Sequence, residues 1–268
     1  MNRTIFITGA SSGLGRATAR LFSKKGWTVI ATMRNIEGTE LAQLPNVYLL
    51  ELDVNNPEQV IEVIRKAEKI SPIDVLFNNA GYVLAGALEA ITDEQLDHQL
   101  NTNLQGTIRV TRALLPYFRG RKEGLVITTT SLGAYIPEPF MAVYSATKSA
   151  LEAWTEGMYY ELDRIGIRIK TIVPSFMNTN FVENAKIALH PAYQENLEKV
   201  INTFSNSEAG TNADNPEDIA IIVYEAVTDG KKQLHYFAGD DANTRYQSLK
   251  EDGIDVLIDA RSKSIFEQ

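Results

Sequence analysis

The chain reads as a single doubly wound α/β domain, a parallel sheet of seven strands with helices on both faces. Three observations predict it. Seven short runs, residues 5–7, 29–31, 47–52, 73–77, 125–130, 167–173 and 234–237, are dominated by apolar residues, as strands buried on both faces are. Between them the apolar residues recur at helical spacing, Ala17, Leu21 and Phe22 on one face and Val60, Val63, Ile64, Ala67 and Ile70 on another, with two longer helices suggested over 96–118 and 146–162. The punctuation agrees: Pro57 and Pro216 stand where helices begin, Asn56 and Asn215 precede them as candidate caps, and Gly26 and Gly166 fall where helices should stop. At 268 residues the chain has room for one large or two small domains. The polar stretch 205–215 is followed by too few residues for a second domain, so it reads as a long loop and 1–268 as one unit.

Charge and composition exclude several function classes. Twenty-six basic against 34 acidic residues leave a net charge of −8, a poor match for nucleic acid or an anionic membrane. With no cysteine, disulfides, thiolate nucleophiles and Cys-bound zinc are all absent, and His98, His190 and His235 are too scattered for a metal motif. No apolar run approaches the about 18 residues of a membrane span, and the start of the chain shows no signal-peptide pattern. The expectation is a cytoplasmic protein without a metal.

The first strand runs into Thr8-Gly9-Ala10-Ser11-Ser12-Gly13-Leu14-Gly15, after which helical period begins. Glycines at such a turn either pack a helix tightly on a strand or let the backbone approach a pyrophosphate, which the helix N-terminus then attracts. The spacing is GxxxGxG. At the end of the second strand, where an acid would hold the ribose of NAD, the sequence reads Ala31-Thr32-Met33-Arg34; an arginine there suits the 2′-phosphate of NADP, or is an ordinary solvated residue. Asp53-Val54 and Asn78-Asn79-Ala80-Gly81 end the third and fourth strands on the same carboxyl edge, either as turn residues or facing the same ligand.

Tyr144 and Lys148 are four apart, on one face of a helix. They are either an ordinary aromatic–aliphatic contact or an acid–base pair in which the ammonium draws the phenol pKa down from about 10. Ser131, thirteen residues earlier at a strand end, places a hydroxyl where it could donate to a carbonyl oxygen as charge develops.

Taken together, Thr8-Gly9-xxx-Gly13-x-Gly15, Asp53, Asn78-Asn79-Ala80-Gly81, Asn103, Ser131, Tyr144-xxx-Lys148 and the segment from Pro174 to Thr179 strongly resemble the short-chain dehydrogenase/reductase family across residues 4–180. The resemblance implies a Rossmann-type sheet in the order 3-2-1-4-5-6-7. It implies that Tyr144 is the proton donor or acceptor, that Lys148 binds the nicotinamide ribose and lowers the tyrosine pKa, that Ser131 holds the substrate oxygen and that Asn103 anchors a water in the proton relay. Asp53 would meet the adenine, Asn79 to Gly81 would pack along the cofactor, and Thr179 would reach the carboxamide. Pro174-Ser175 departs from the family's usual Pro-Gly. Residues 78–180 look like members acting on steroids, retinoids and other lipophilic alcohols or ketones, in the NADP-preferring subset.

The expected activity is therefore NADP-dependent interconversion of a carbonyl and an alcohol, in a homodimer or homotetramer. A ketoacyl-type reductase and a non-catalytic NADP-binding redox sensor are the rivals. Substrate choice is expected to lie in the lid segment 179–216, where Tyr193, Leu197, Val200, Ile201 and Phe204 mark an amphipathic helix, with Phe176, Met177 and Phe181 adding apolar surface.

Overall fold

A computed structural model describes residues 3–177, 185–206 and 214–267. Strands β1 (Thr4–Thr8), β2 (Thr28–Met33), β3 (Val47–Glu51) and β4 (Val75–Asn78) are joined in one parallel sheet by β6 (Gly124–Thr129), β7 (Ile167–Pro174) and β9 (His235–Ala238), in the order β3-β2-β1-β4-β6-β7-β9. Set aside β5 (Leu84–Gly86) and β8 (Lys186–Ala188), which pair only with each other, and this is the expected 3-2-1-4-5-6-7. Every residue of β1 and β6 is buried, whereas the edge strand β3 exposes Tyr48.

The pleat divides the core in two. Ile5, Ile7, Val29 and Ile127 face one side, where they pack with Phe22 of α1 (Gly13–Lys24) and Ile219 and Val223 of α7 (Pro216–Thr228). Phe6, Ile30, Leu76 and Val126 face the other, packing with Ile64 of α2 (Pro57–Ile70), Leu114 and Phe118 of α4 (Gly106–Arg121) and Leu162 of α5 (Ala142–Asp163). Each fully buried Ile, Leu or Phe contributes roughly 1.5–3 kcal/mol relative to exposure.

Several helix ends follow the sequence, and others differ from it. Asn56 caps α2 by accepting from Glu58 N and Gln59 N, and Gly26 and Gly166 take the left-handed conformations that follow α1 and α5. Asn215 makes no side-chain cap to α7, which begins instead on the proline at its first turn. The helix expected over 96–118 starts earlier, at α3 (Asp93–Leu100), because Thr92 and Gln95 form a reciprocal capping box. It then passes through a π-turn at Asn101–Gln105, where Gly106 N reaches back five residues to Asn101 O, before continuing as α4. Such wide turns concentrate at functional sites.

Beyond β9 the chain adds α8 (Asp240–Asp252) and α9 (Ile254–Phe266), which composition had left unread. His235 on β9 sits inside a polar cluster: its Nδ1 is 3.0 Å from Glu152 Oε2 and 3.0 Å from Thr171 Oγ1, and its Nε2 is 3.4 Å from Glu156 Oε1. The hydrogen bond to Glu152 raises the imidazole pKa above its usual value, against the opposing effect of burial. A histidine whose folded pKa is raised contributes stability that is complete below about pH 6.5 and is lost as pH climbs through the folded value. The melting temperature is therefore expected to fall as pH rises from 6 through that range, and His235→Gln should flatten the dependence. An unchanged slope in the variant, followed by circular dichroism, would count against this pair as its source.

Candidate active site

The carboxyl ends of β1, β2, β3, β4, β6 and β7 open into one cleft of about 440 Å³, as open α/β sheets dictate. Gly9, Ser11, Ser12, Gly13 and Leu14 form one end, with Arg34, Asp53, Val54, Asn79, Ala80 and Gly81 beside them; Ser131, Tyr144, Lys148, Pro174 and Ser175 line the other. Of the expected catalytic and cofactor-binding residues, Gly15 and Asn103 do not line it, and Thr179 lies outside the described residues, as do Phe181 and the side chain of Phe204.

Gly15 serves the turn itself. A Cβ there would come 2.4 Å from the Gly9 carbonyl oxygen and 2.6 Å from Asn79 Nδ2. Asn79 is itself committed: its amide nitrogen donates to Gly9 O (3.1 Å), its Oδ1 accepts from Thr129 Oγ1 (3.2 Å), and its backbone N–H donates to Thr8 Oγ1 (2.9 Å). The helix behind this turn has no side-chain cap at Ser12 and no acid in its first turn. Its leading N–H groups and positive end therefore face the cleft, the arrangement that takes a phosphate.

At the other end, Tyr144 and Lys148 project from successive turns of α5. Lys148 is buried and donates to Thr129 O at 2.8 Å, and its nitrogen lies 5.8 Å from the Tyr144 ring centroid. The expectation that the ammonium would pull the phenol down is not met: burial pushes Tyr144 up to about 12, opposed by its hydrogen bond with Ser131. Burial also brings Lys148 down to about 8, opposed by the charge of Glu152 one turn on. Desolvation is the largest cause of both shifts because both groups are buried.

Asn103 occupies the centre of the π-turn, fully buried. Its Nδ2 donates to Tyr82 O (2.9 Å) and its Oδ1 accepts from Tyr82 N (3.0 Å), so the side chain holds the segment after β4 in place. A Cβ on Gly81 would meet Asn103 Oδ1 at 3.2 Å and Lys148 Nζ at 3.8 Å, which places Asn103 directly behind the cleft wall.

Several lining residues escaped the sequence. His98 and Tyr82 share a 2.8 Å hydrogen bond, and Asn55 donates to Thr102 at 3.0 Å; the wide π-turn, with no clear sequence signature, sets where His98 and Thr102 fall. Glu138 and Arg245, separated by more than a hundred positions, also face the cleft, joined at 2.6 Å. Ser175, at the position where the family resemblance led one to expect glycine, spends its hydroxyl on Asp241 of α8. The amphipathic pattern of the lid segment forms α6 (Gln194–Asn206), with Leu197 and Val200 buried. Among the described residues of 179–216, Ala185 and Lys186 reach the cleft and α6 does not.

A glycine turn at a helix N-terminus, joined by one cleft to a Ser–Tyr–Lys group, defines a dinucleotide-dependent oxidoreductase site. The family model for short chain dehydrogenases matches residues 3–189, and the chain belongs to that family. It is 35% identical over 201 residues to an uncharacterized oxidoreductase of Schizosaccharomyces pombe, covering 75% of this chain and 85% of that one. It is also 35% identical over 185 residues to the 3-ketodihydrosphingosine reductase of Bacteroides thetaiotaomicron, covering 69% and 67%. A short-chain dehydrogenase from Streptomyces avermitilis has the same fold with a TM-score of 0.83 and 29% identity over 98% of both chains. A Burkholderia cenocepacia member solved in complex with NADP superposes with a TM-score of 0.76 at 25% identity, over 99% and 98%. Among the described residues no helix is long and apolar enough to cross a membrane.

Proposed function

We propose that this protein is an NADP-dependent carbonyl reductase or alcohol dehydrogenase that interconverts a carbonyl and an alcohol on a lipophilic substrate. The observation that carries this reading is the half-buried Ser131 beside the buried Tyr144 and Lys148, at the far end of the cleft from the glycine turn. Gly9, Ser11, Ser12, Gly13 and Leu14 would hold the pyrophosphate of NADP, with Arg34 at its 2′-phosphate. Asp53 and Val54 would flank the adenine, Asn79 to Gly81 and Pro174 would pack along the cofactor, Lys148 would take the nicotinamide ribose, and Thr179 would complete the site. The NADP complex of the Burkholderia relative supports the cofactor assignment, as does the lack of an acid at the end of β2.

When bound, the cofactor supplies the hydride. A phenol with its pKa near 12 keeps its proton at neutral pH and so stands ready to give it to the substrate oxygen. Ser131 donates to the same oxygen, and Lys148 holds positive charge beside the phenolate that forms. Asn103 acts as the relay's anchor through the segment it fixes. Ile136, Met141, Phe176 and Met177 give the substrate end an apolar lining, which favours a lipophilic ketone, in keeping with the 3-ketodihydrosphingosine reductase named for the Bacteroides relative. Ala185 and Lys186 bring the segment 179–216 to the cleft, and in this reading pairing through α4 and α5 gives a homodimer or homotetramer.

The test follows NADPH and NADH consumption against ketones and aldehydes from small aliphatic to steroid-sized. NADPH should be preferred about tenfold or more, and Arg34→Glu should raise the KM for NADPH about 10- to 100-fold while leaving that for NADH little changed. Equal use of both cofactors would remove the assignment of Arg34, and a preference for small polar sugars would remove the lipophilic substrate. Tight NADPH binding without turnover across the whole panel would turn the reading to a redox sensor.

A further inference from the structure

The C-terminal helices reach the cleft through one buried carboxylate. Glu138, in the loop before α5, is 7% exposed and is held from two sides, by Arg245 of α8 at 2.6 Å and by Arg261 of α9 at 2.7 Å. Arg245 lies 3.9 Å from Asp241, one turn earlier on α8, and Asp241 is fixed in turn by the Ser175 hydroxyl at the end of β7. The guanidinium is thus anchored from two directions, yet it still lines the cleft beside Ile136, Met141 and Tyr144. All of α8 and α9 lies beyond residue 189, where the family match ends.

We propose that Arg245 determines specificity by donating a hydrogen bond to a second, neutral acceptor group on the substrate, such as an ester, amide or additional carbonyl, remote from the reacting carbon. This rests on the carbonyl-reductase reading and specifies its substrate class. Two features select a neutral acceptor over a carboxylate. Glu138 and Asp241 balance Arg245 and Arg261, so the cluster has no net charge to offer an anion. Asp240 and Asp241 at the start of α8 also act with Asp218 on Asp214, whose pKa is raised first by burial and further by these charges, and this negative field repels a second carboxylate. A guanidinium already held by Glu138 loses little side-chain freedom on binding, so its remaining donors discriminate efficiently.

The test compares three medium-chain methyl ketones that differ only at the far end, which is a methyl group, a methyl ester or a carboxylate. Steady-state kcat/KM is measured with NADPH for the full-length protein, and circular dichroism and NADPH binding confirm that each variant is folded. Wild type should favour the ester over both others by about tenfold or more, the range of a hydrogen bond to a charged donor. Arg245→Met should collapse the ester-to-methyl ratio towards one, and Arg245→Lys, which keeps the charge but loses the planar fork, should fall between. Glu138→Gln, which uncovers the positive charge, should move preference towards the carboxylate. An ester preference that survives Arg245→Met, or a wild type that favours the methyl or carboxylate ketone, would overturn the proposal while leaving the reductase reading intact. Failure of wild type to reduce any of the three would overturn the proposal, while the reductase reading stands or falls on the wider panel of ketones and aldehydes.

Discussion

Tyr144→Phe is expected to lower kcat about 10³-fold, within the range of a lost general acid, while NADPH binds as in wild type. The substitution removes a single oxygen. The ring stays packed against Val83, Ala85 and Met141, and Lys148 keeps its bond to Thr129 O, so the cleft should keep its shape. What disappears is the proton that burial had held on the phenol up to about pH 12 and the partner of the Ser131 hydroxyl. Stopped-flow NADPH oxidation with a saturating ketone, paired with fluorescence titration of NADPH, separates the two effects. Turnover near the wild-type rate would rule out Tyr144 as the proton donor, and a parallel loss of binding would make the residue structural.

Gly15→Ala should cost at least about tenfold in NADPH affinity and lower the melting temperature by several degrees. The added methyl would stand 2.4 Å from a backbone oxygen, that of Gly9, and 2.6 Å from an amide already committed to the same turn. Neither is the free end of a flexible chain. The turn has nowhere to withdraw, because a Cβ on Gly9 would itself meet Ala80 Cα at 2.7 Å, and Gly9 adopts φ +67°, which only glycine takes without strain. The helix must therefore tilt away from β1, carrying its first N–H groups off the phosphate position. Calorimetric titration with NADPH and a thermal melt read the two consequences; wild-type values in both would show that the turn accommodates a methyl group at this position.

The fold was legible because two-sided burial writes itself into consecutive apolar residues. Phe6 and Ile7 face opposite layers yet both must be apolar, so the strand shows in the sequence whichever face is considered. Tyr144 and Lys148 were legible for a related reason: the helix that presents them fixes their spacing, and the site lies within a few residues of each strand's end. Their energetics were not, since depth of burial decides whether an ammonium lowers a neighbouring phenol pKa, and depth belongs to the packed molecule. Glu138, Arg245 and Arg261 left no local trace, being brought together only when α8 and α9 fold back on the loop before α5. The short pairing of β5 with β8 was hidden in the same way, as each strand is too brief to show a period. The lid pattern 193–204 showed a helix but could not show which surface its apolar face would meet.

The π-turn at Asn101–Gln105 makes the site sensitive to chain length in a way that substitution alone does not reveal. That turn holds one residue more than the α-helical path around it, and in an α-helix each residue advances the face by about 100°; the wide turn takes up the surplus, so α3 and α4 keep the phase of one continuous helix. Losing one residue there would close the turn into an unbroken α-helix and draw Asn103 from the position behind Gly81. Losing one residue from the regular turns on either side would instead rotate α3 by about 100° relative to α4, and His98 and Gln99, which hold the side chain and backbone of Tyr82, would point elsewhere. The surplus residue alters the path of the chain at one turn without re-aiming the helix faces around it. Side chains on this helix can vary within the limits of packing, but its residue count is part of the site.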